Sequence, residues 1–279
     1  MTTSARDLAR RVELAEALDM AAFAKALAES VPELEPTTFP FVDGHAVLCG
    51  QGMYVNGPLA VGFERVPTAD EFDEWEAACA QRGITPNFEI HEHSHPDLRG
   101  AVEERGYVLD SESARTGLVL SQADYSPRAA GEGIEVVPVS TPELVETWKE
   151  LTAQGWGHDT PERRRVSDRF TEVAAKIQKP GLFLAVDTAS GEPIGCSNLS
   201  FVGEVAVLGG MSTVPAHRRR GVQRTFIQYR LRRAWQYGCS LAVAHAKPDE
   251  GSIRNLLHAG FEPVLTKHTY VLERSDDRS

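Results

Sequence analysis

The sequence predicts a mixed α/β fold, in which helices flank a mostly antiparallel sheet, arranged as two tandem domains. Helical and strand patterns alternate in residues 134–279, which is typical of layered α/β domains. A pattern of helix, glycine, strand, helix, Gly-aromatic pair and strand occurs twice, with 23 residues from Gly83 to Gly106 and 22 from Gly238 to Gly260. The segment 126–133, S-P-R-A-A-G-E-G, has the composition of a linker. We therefore predict one domain at 1–125, a linker at 126–133 and a second domain at 134–279.

Local signals define the elements of the second half. Thr141-Pro142-Glu143 and Thr160-Pro161-Glu162 each place an N-cap threonine before proline at the first helical position, which predicts two helices. Apolar runs predict strands, and the apolar period after Gly221 predicts a longer helix. The predicted strands are 182–187, 194–201, 205–213 and 241–245, and a short helix is predicted at 252–259.

Composition indicates a soluble globular protein. Hydrophobic residues make up 42% of the 279 residues and charged residues 25%. No apolar run approaches the roughly 18 residues that span a bilayer, and the N-terminus lacks an apolar signal core, so we expect a cytoplasmic location and no membrane association. The cysteines form no CxxC pair, so we expect reduced thiols and no cysteine-based zinc site; they are Cys49, Cys79, Cys196 and Cys239.

Charge is distributed unevenly along the chain, whose formal net charge is −11. No Asp or Glu occurs between Glu204 and Asp249, an interval that holds seven arginines and one lysine. A local positive field in an acidic protein favours a compact anionic ligand. The overall charge is wrong for a DNA surface, so we expect no nucleic-acid partner.

This interval contains the stretch V-P-A-H-R-R-R-G-V-Q-R (214–224), which follows a predicted strand and opens a predicted helix. The first turn of a helix has unpaired N–H groups and the positive end of the helix dipole, so it can bind a phosphate. Gly221 lets an anion approach the backbone closely, and the neighbouring arginines add bidentate donors. A solvated basic turn is the alternative interpretation. A nucleotide-binding P-loop is excluded because the G-x-x-x-x-G-K-[ST] signature does not occur.

The motif Arg218-x-x-Gly221-x-Gln223 resembles the pyrophosphate loop of the GNAT superfamily of acetyl-CoA-dependent N-acetyltransferases, with Gln223 in place of the family's Gly or Ala. The stretch S-I-R-N-L-L-H-A-G-F (252–261) is similar to the family's second signature. The resemblance covers about 135–273 and implies an acetyl-CoA cleft between the strands 205–213 and 241–245, which would splay apart. The coenzyme contacts that it implies are Met211, Ser212, Thr213, Arg218, Arg219, Arg220, Gly221, Val222, Gln223, Arg224, Ser252 and Asn255.

Residues 1–125 resemble a second, degenerate copy of the same domain, as in tandem GNAT proteins. Aligned on Gly83, the position of the arginine loop falls at 63–69, F-E-R-V-P-T-A, and the next helix reads D-E-F-D-E-W-E. Its five carboxylates would repel a phosphate. We therefore expect no coenzyme site in the first domain. Its acidic surface could attract a cationic amine or could simply be solvated.

Acetyl transfer to an amine needs a base, donors that polarise the thioester carbonyl, and a proton for the leaving thiolate. Backbone N–H groups of the splayed strand can polarise the carbonyl. Glu204 is a candidate base, or else an exposed turn acid. Relatives often carry a tyrosine as the acid where this chain has Leu256. His245 and His258 are substitutes, unless both are structural or the reaction uses no dedicated acid.

Acceptor specificity is expected to come from the early helices of the second domain and the loop between them, A-Q-G-W-G-H-D-T (153–160). Trp156, His158 and Asp159 could line an acceptor pocket, with Asp159 facing an ammonium group. The alternative is a glycine-softened turn between two helices.

Residues 91–95 read H-E-H-S-H and put three histidines at alternate positions, as a metal site would. The stretch lies where a strand runs into a loop, and the sequence offers no evident distant ligand. We therefore interpret it as an exposed histidine-rich loop and expect no metal.

These features predict an acetyl-CoA-dependent N-acetyltransferase that acts, through a ternary complex, on an amine of a small molecule or peptide. The alternative is a non-catalytic acyl-CoA-binding sensor or scaffold, which the missing tyrosine motivates. Both functions require acetyl-CoA, as co-substrate or as ligand. The acceptor and the oligomeric state stay open, with a homodimer as one option.

Overall fold

The computed structural model describes residues 4–53, 55–119, 131–158, 160–177, 181–246 and 251–273. The chain divides into two compact units, residues 1–115 with 263–279, and residues 116–262. The helices are α1 (Ala5–Ser30), α2 (Ala69–Gln81), α3 (Leu98–Glu104), α4 (Pro142–Trp156), α5 (Pro161–Ile177), α6 (Val222–Gln236) and α7 (Gly251–Ala259). The strands are β1 (Thr37–Phe41), β2 (Gly44–Leu48), β3 (Asn56–Leu59), β4 (Asn87–Ile90), β5 (Tyr107–Val119), β6 (Ile134–Pro138), β7 (Leu182–Asp187), β8 (Pro193–Asn198), β9 (Ser200–Val202), β10 (Val205–Val207), β11 (Ser212–Thr213), β12 (Leu241–Ala246) and β13 (Glu262–Leu272).

The predicted α/β class is confirmed, and the capping signals of the second unit mark its helix starts. The Thr141 hydroxyl accepts a hydrogen bond from the Leu144 N–H at the start of α4. This helix continues to Trp156, where Gly157 stops it with a left-handed φ of 67°. Among the described residues, no helix is long and apolar enough to cross a membrane.

In the first unit, β1, β2 and β3 form an antiparallel sheet. Strand β13 pairs antiparallel with β4, with Tyr270 opposite Phe88, and its other neighbour in the sheet is β5. The fully buried Trp75 of α2 lies in the same core cluster as Phe88 and Tyr270. By sequence, β13 falls in the predicted domain 134–279, but its contacts assign residues from 263 onward to the first unit. Residues 126–130 of the predicted linker lie outside the described residues.

A buried group of charges joins α1, β4, β5 and β13 within the first unit. The Lys267 ammonium lies 2.8 Å from a Glu13 carboxylate oxygen and 2.6 Å from one of Glu89. Arg115 pairs with Glu16 at 2.8 Å. Burial raises the pKa of Glu13 to about 7, against the opposing effect of Lys267. Nearly all the surface of Lys267 and Glu13 is removed from water, so the loss of either partner would leave a charge buried without its counter-charge.

In the second unit, helices cover both faces of a four-stranded sheet ordered β11-β8-β7-β6. Because side chains alternate along a strand, Phe183 and Ala185 of β7 pack with α6 residues such as Phe226, while Leu184 packs with Trp148 of α4. A second group of strands in this unit is ordered β12-β10-β9.

Candidate active site

The site is built where one strand changes its partner. Strand β10 pairs in parallel with β12, with Val205 opposite Leu241 and Val207 opposite Val243. The Leu208 N–H still donates to the Val243 carbonyl at 2.8 Å. Residues 209–211 then leave β12, and β11 pairs antiparallel with β8 instead. The predicted continuous strand 205–213 is wrong, because it is broken at this change of partner. We call the opening between β11 and the end of β12 the cleft.

Strand β11 presents to the cleft a backbone edge that no other strand pairs with, since it is the outermost strand of its sheet. The Val214 N–H donates to the Ile194 carbonyl of β8 at 3.1 Å. Backbone groups alternate in direction along a strand, so those of Ser212 also face β8, and those of Met211 and Thr213 face away from it. The Ser212 hydroxyl is buried on the α4 side, where it donates to the Leu151 carbonyl at 2.9 Å.

Helix α6 begins beside this edge with an N-terminus that has no side-chain cap. Its N-cap residue is Gly221, at a φ of 89°. A Cβ added there would lie 3.4 Å from the Arg224 guanidinium and 3.5 Å from the Gly131 Cα. Arg219, two residues before Gly221, also has a left-handed φ, of 65°. The bare helix start and its glycine leave backbone N–H groups available to an anion, as the sequence predicts.

The four arginines of the loop divide into two pairs. Arg218 donates to the Gly155 carbonyl at 3.1 Å, and Arg220 pairs with Asp187 at 2.5 Å. Hydrogen bonding from Arg220 lowers the pKa of the Asp187 carboxyl. Arg219 and Arg224 are exposed and have no hydrogen bond or ion pair within the described residues. Two arginines therefore fix the loop, and two present their charge to solvent.

Helix α7 carries two of the predicted coenzyme contacts, Ser252 and Asn255, and Asn255 contacts the start of α6. The Asn255 side-chain N–H donates to the Gln223 side-chain oxygen at 2.5 Å. The Ser252 hydroxyl is buried with no hydrogen-bond partner among the described residues. Val222 packs its side chain into the core, so only its backbone can contact a ligand. Leu256, where the resemblance to the family implies a tyrosine, is also a core residue.

The three candidate proton carriers lie in different places. Glu204 lies on the turn between β9 and β10 and accepts a hydrogen bond from Ser240. Five residues of extended chain, roughly 16 Å, separate it from Gly209 at the strand break. His245 lies on β12, two residues beyond Val243, and is exposed. His258 is exposed near the end of α7. The structure thus does not bring Glu204 to the cleft, whereas His245 lies beside it.

The predicted acceptor residues lie at the end of α4. Trp156 is the last residue of α4 and is 56% exposed, and the His158 N–H donates to the Ala153 carbonyl at 2.9 Å. Asp159 lies outside the described residues. The expected loop 153–160 is therefore wrong in its first half, because 153–156 form the last turn of the helix.

An open recess of about 440 Å³ lies on another part of α4 and contains none of these predicted acceptor residues. Its lining includes Glu146, Glu150 and Glu192. Two of these carboxylates are already paired, Glu146 with Lys149 and Glu150 with Arg164.

One site residue was not found by sequence reasoning. Arg230 of α6 is 1% exposed and donates to the carbonyls of Asn198 and Gly209 at 3.1 and 2.9 Å. It appears in the sequence as one of several arginines on a helix, and its burial depends on strands that are distant in the chain.

Helix α2, which corresponds in the first unit to α6, has a capped N-terminus. The Thr68 hydroxyl accepts from the Glu71 N–H, and the Glu71 carboxylate accepts from the Thr68 N–H, which forms a capping box. Arg65 also donates to both oxygens of Glu71, at 2.7 Å each. The Glu71 N–H, one of the groups that would hold an anion, therefore has a partner, and the Glu71 carboxylate lies at the helix start.

The histidine-rich stretch is more buried than expected. His91 is 6% exposed and its ring lies 4.8 Å from that of Phe63. Burial lowers the pKa of His91 to about 4. The interpretation of the whole stretch as an exposed loop is therefore wrong for His91. Across the described ranges, no group of three or more His, Cys, Asp or Glu side chains is placed to hold a metal ion.

Comparisons with known proteins agree with this geometry. Residues 142–261 match the family model described as Acetyltransferase (GNAT) family. The chain is similar to the GCN5-related N-acetyltransferase from Kribbella flavida, with a TM-score of 0.64 and 16% identity over 90% of this chain and 96% of that one. It is also similar to a tandem GNAT protein from the clavulanic acid biosynthesis pathway, with a TM-score of 0.58 and 14% identity over 84% and 79% of the two chains.

The GCN5-related N-acetyltransferase from Sphaerobacter thermophilus has a TM-score of 0.54 and 20% identity over 68% of this chain, which spans only 61% of that relative's length. No curated protein sequence matches. At these identities the solved structures show a shared fold, and the family model adds a match in sequence. Residues 142–261 therefore match the GNAT acetyltransferase family in sequence, and the fold of the chain is similar to those of GCN5-related N-acetyltransferases, a tandem GNAT protein among them.

Proposed function

We propose that the second unit is an acetyl-CoA-dependent N-acetyltransferase, which moves an acetyl group to an amine of a small molecule or peptide in a ternary complex. One observation carries the proposal: the uncapped start of α6, two arginines that have no partner among the described residues, and a strand edge that no other strand pairs with meet at the same cleft.

The residues present fit the diphosphate of coenzyme A. The first N–H groups of α6 would donate to its oxygens, and Gly221 leaves room that a side chain would narrow. Arg219 and Arg224 would supply charge-assisted hydrogen bonds, because neither is engaged within the described part of the chain. Arg218 and Arg220 would act indirectly, by holding the loop in place.

The outer edge of β11 fits the amides of the pantetheine arm. The outward backbone groups of Met211 and the Thr213 N–H offer hydrogen bonds that a neighbouring strand would make, whereas the Thr213 carbonyl already accepts from the Arg218 Nε at 3.5 Å. Such pairing would lay an extended chain along the cleft, with one end at α6 and the other at the strand break. The thioester would then lie beside residues 209–211.

In the reaction, the amine nitrogen attacks the thioester carbonyl carbon, a C–N bond forms and the C–S bond breaks. The proton that the nitrogen loses balances the proton that the thiolate gains. Backbone N–H groups at the break would stabilise negative charge on the carbonyl oxygen. His245 is our candidate to carry the proton, because it follows Val243 on β12 by two residues, about 7 Å of strand.

We assign no coenzyme site to the first unit. The start of α2 is occupied by its own capping box and by the Arg65–Glu71 pair. All four cysteines are buried free thiols, which supports our placement of the protein in the reducing cytoplasm.

A non-catalytic acyl-CoA sensor is the second candidate, and Leu256 favours it. This apolar residue stands where the resemblance to the family implies a tyrosine and packs in the core, so α7 offers no hydroxyl there to protonate a thiolate. Both functions require coenzyme binding, and only the transferase releases free thiol.

Two measurements test the proposal in order. Thermal melting with and without acetyl-CoA should show stabilisation of the wild type. Arg219→Glu and Arg224→Glu should each weaken binding about tenfold or more, since each removes a charged hydrogen bond and adds repulsion. Arg232→Glu is the matched control, because it makes the same charge change at an exposed position of the same helix.

Release of thiol from acetyl-CoA across a panel of amines then separates the two functions. Release with at least one amine supports the transferase. Tight binding without release for any amine would favour the sensor, and failure of acetyl-CoA to stabilise the wild type would refute both.

A further inference from the structure

The guanidinium of Arg230 is buried beside the strand break without an opposing charge. Its Nε donates to the Phe226 carbonyl at 3.3 Å, and its Nη1 donates to the carbonyls of Asn198 and Gly209. Its Nη2 contacts only the Met211 sulfur, at 3.3 Å. No carboxylate pairs with it in the described part of the chain, and burial lowers its pKa to about 9.

An arrangement of this kind is unfavourable for stability. Removing a charge from water is compensated in proteins by an opposite charge or by strong hydrogen bonds, and a thioether is a weak acceptor. An apolar side chain of similar length would avoid the burial of a charge, although it would leave the Asn198 and Gly209 carbonyls without this donor. A charge that the fold does not neutralise points to a role in the site that it adjoins.

The contacts of Arg230 are concentrated where β10 ends. Asn198 is the last residue of β8, and Gly209 is the second residue after β10. The guanidinium thus ties α6 to both strands at the break. The Asn198 amide lies against the same backbone, so that a Cβ on Gly209 would come within 2.8 Å of its oxygen. The helix and the neighbouring strand together leave the 209–210 peptide little freedom to turn.

The Gly209 carbonyl and the Gly210 N–H belong to one peptide group. Donation to the carbonyl oxygen polarises that group and strengthens its N–H as a donor. No hydrogen bond among the described residues uses the N–H of Gly209 or Gly210. Gly210 is exposed, so a ligand can reach it.

We propose that Arg230 is a positioning residue of the transferase site, which orients the 209–210 peptide and makes the Gly210 N–H a stronger donor to the thioester carbonyl oxygen. The proposal rests on the transferase function proposed above. Arg230 acts through this peptide and does not itself contact the substrate. Its fixed positive charge additionally favours the negative charge that develops on oxygen and sulfur during transfer.

Arg230→Met and Arg230→Lys test the proposal, with thiol release, acetyl-CoA affinity and thermal melting measured for each. Arg230→Met should fold and bind acetyl-CoA within about threefold of wild type, while kcat falls about tenfold to a hundredfold, somewhat less than loss of a whole oxyanion donor. Arg232→Met, on the exposed side of the same helix, should leave kcat unchanged.

The pH profile distinguishes positioning from a structural role. A buried lysine without a partner loses its proton far more readily than arginine does. Relative to wild type, Arg230→Lys should therefore keep activity at low pH and lose it as the pH rises through neutrality, whereas Arg230→Met should be reduced equally at every pH. The lysine variant also tests the proposal if the methionine variant does not fold.

Three results would overturn the proposal. Wild-type kcat in a folded Arg230→Met would refute it alone, and so would an Arg230→Lys profile parallel to wild type. Absence of thiol release by the wild type with every amine would overturn the transferase function and this proposal together.

Discussion

Replacement of Gly155 by alanine tests the packing that sets the edge of the cleft. A Cβ at this position would lie 2.3 Å from the Ser212 Cβ. Nonbonded carbons approach to about 3.5 Å, so α4 would have to retreat from β11 by roughly 1.2 Å. Overpacking costs about 1–3 kcal/mol, and alanine recovers about 1 kcal/mol over glycine within a helix. Because the obstructing atom is fixed to the backbone, the upper part of the range applies, and we expect a net loss of about 2 kcal/mol.

That loss corresponds to a melting temperature about 4–8 °C lower for a unit of this size. Urea denaturation would measure it, with Ser212→Gly as the compensating change because it removes both crowded atoms. The double variant should be more stable than the sum of the two single effects predicts. We also expect weaker acetyl-CoA binding by Gly155→Ala, since β11 would move. A Gly155→Ala protein that melts at or above the wild-type temperature would refute the close contact between α4 and β11.

The buried charges of the first unit give two further predictions. In urea denaturation, Lys267→Met should lower the free energy of unfolding by about 3–5 kcal/mol, because it leaves buried carboxylates without their partner. The control, Lys176→Met, removes an exposed pair and should change the free energy of unfolding by less than about 0.5 kcal/mol. The pKa of Glu13 is raised in the folded state to about 7, so the folded protein binds this proton more tightly than the unfolded chain does, and this residue's contribution to stability is lost as the pH rises from about 4.5 to about 7. Glu13→Gln should flatten that part of the stability–pH curve, and an unchanged slope would show that Glu13 is already ionised at low pH.

Features that depend on neighbours in sequence could be predicted. The threonine and proline before α4 and α5, and the glycine before α6, act within one helical turn, so their sequence signals are sufficient. The basic loop at the start of α6 could be located for the same reason. Which of its arginines hold the loop and which stay exposed could not be predicted. The partner of Arg220 is Asp187, on a strand more than thirty residues earlier.

Features that depend on strand pairing could not be predicted. Residues 205–213 are apolar enough for one strand, and only the change of partner from β12 to β8 interrupts it. The burial of Arg230 depends on that interruption, since one of the carbonyls it binds, that of Gly209, lies within it. His91 is polar by type, yet its position at the end of β4 packs it against Phe63. In each case the deciding contact joins segments that are far apart in the chain.

The assignment of β13 to the first unit has a consequence for the order of folding. The second unit is one continuous segment, so its strands and helices can assemble from nearby parts of the chain. The first unit needs β13 beside β4, and the whole of residues 116–262 lies between these strands. The entropic cost of closing so long a loop is smaller if the intervening segment is already compact. Formation of the second unit should therefore precede and accelerate completion of the first unit, and mutations that slow folding of the second unit should delay both.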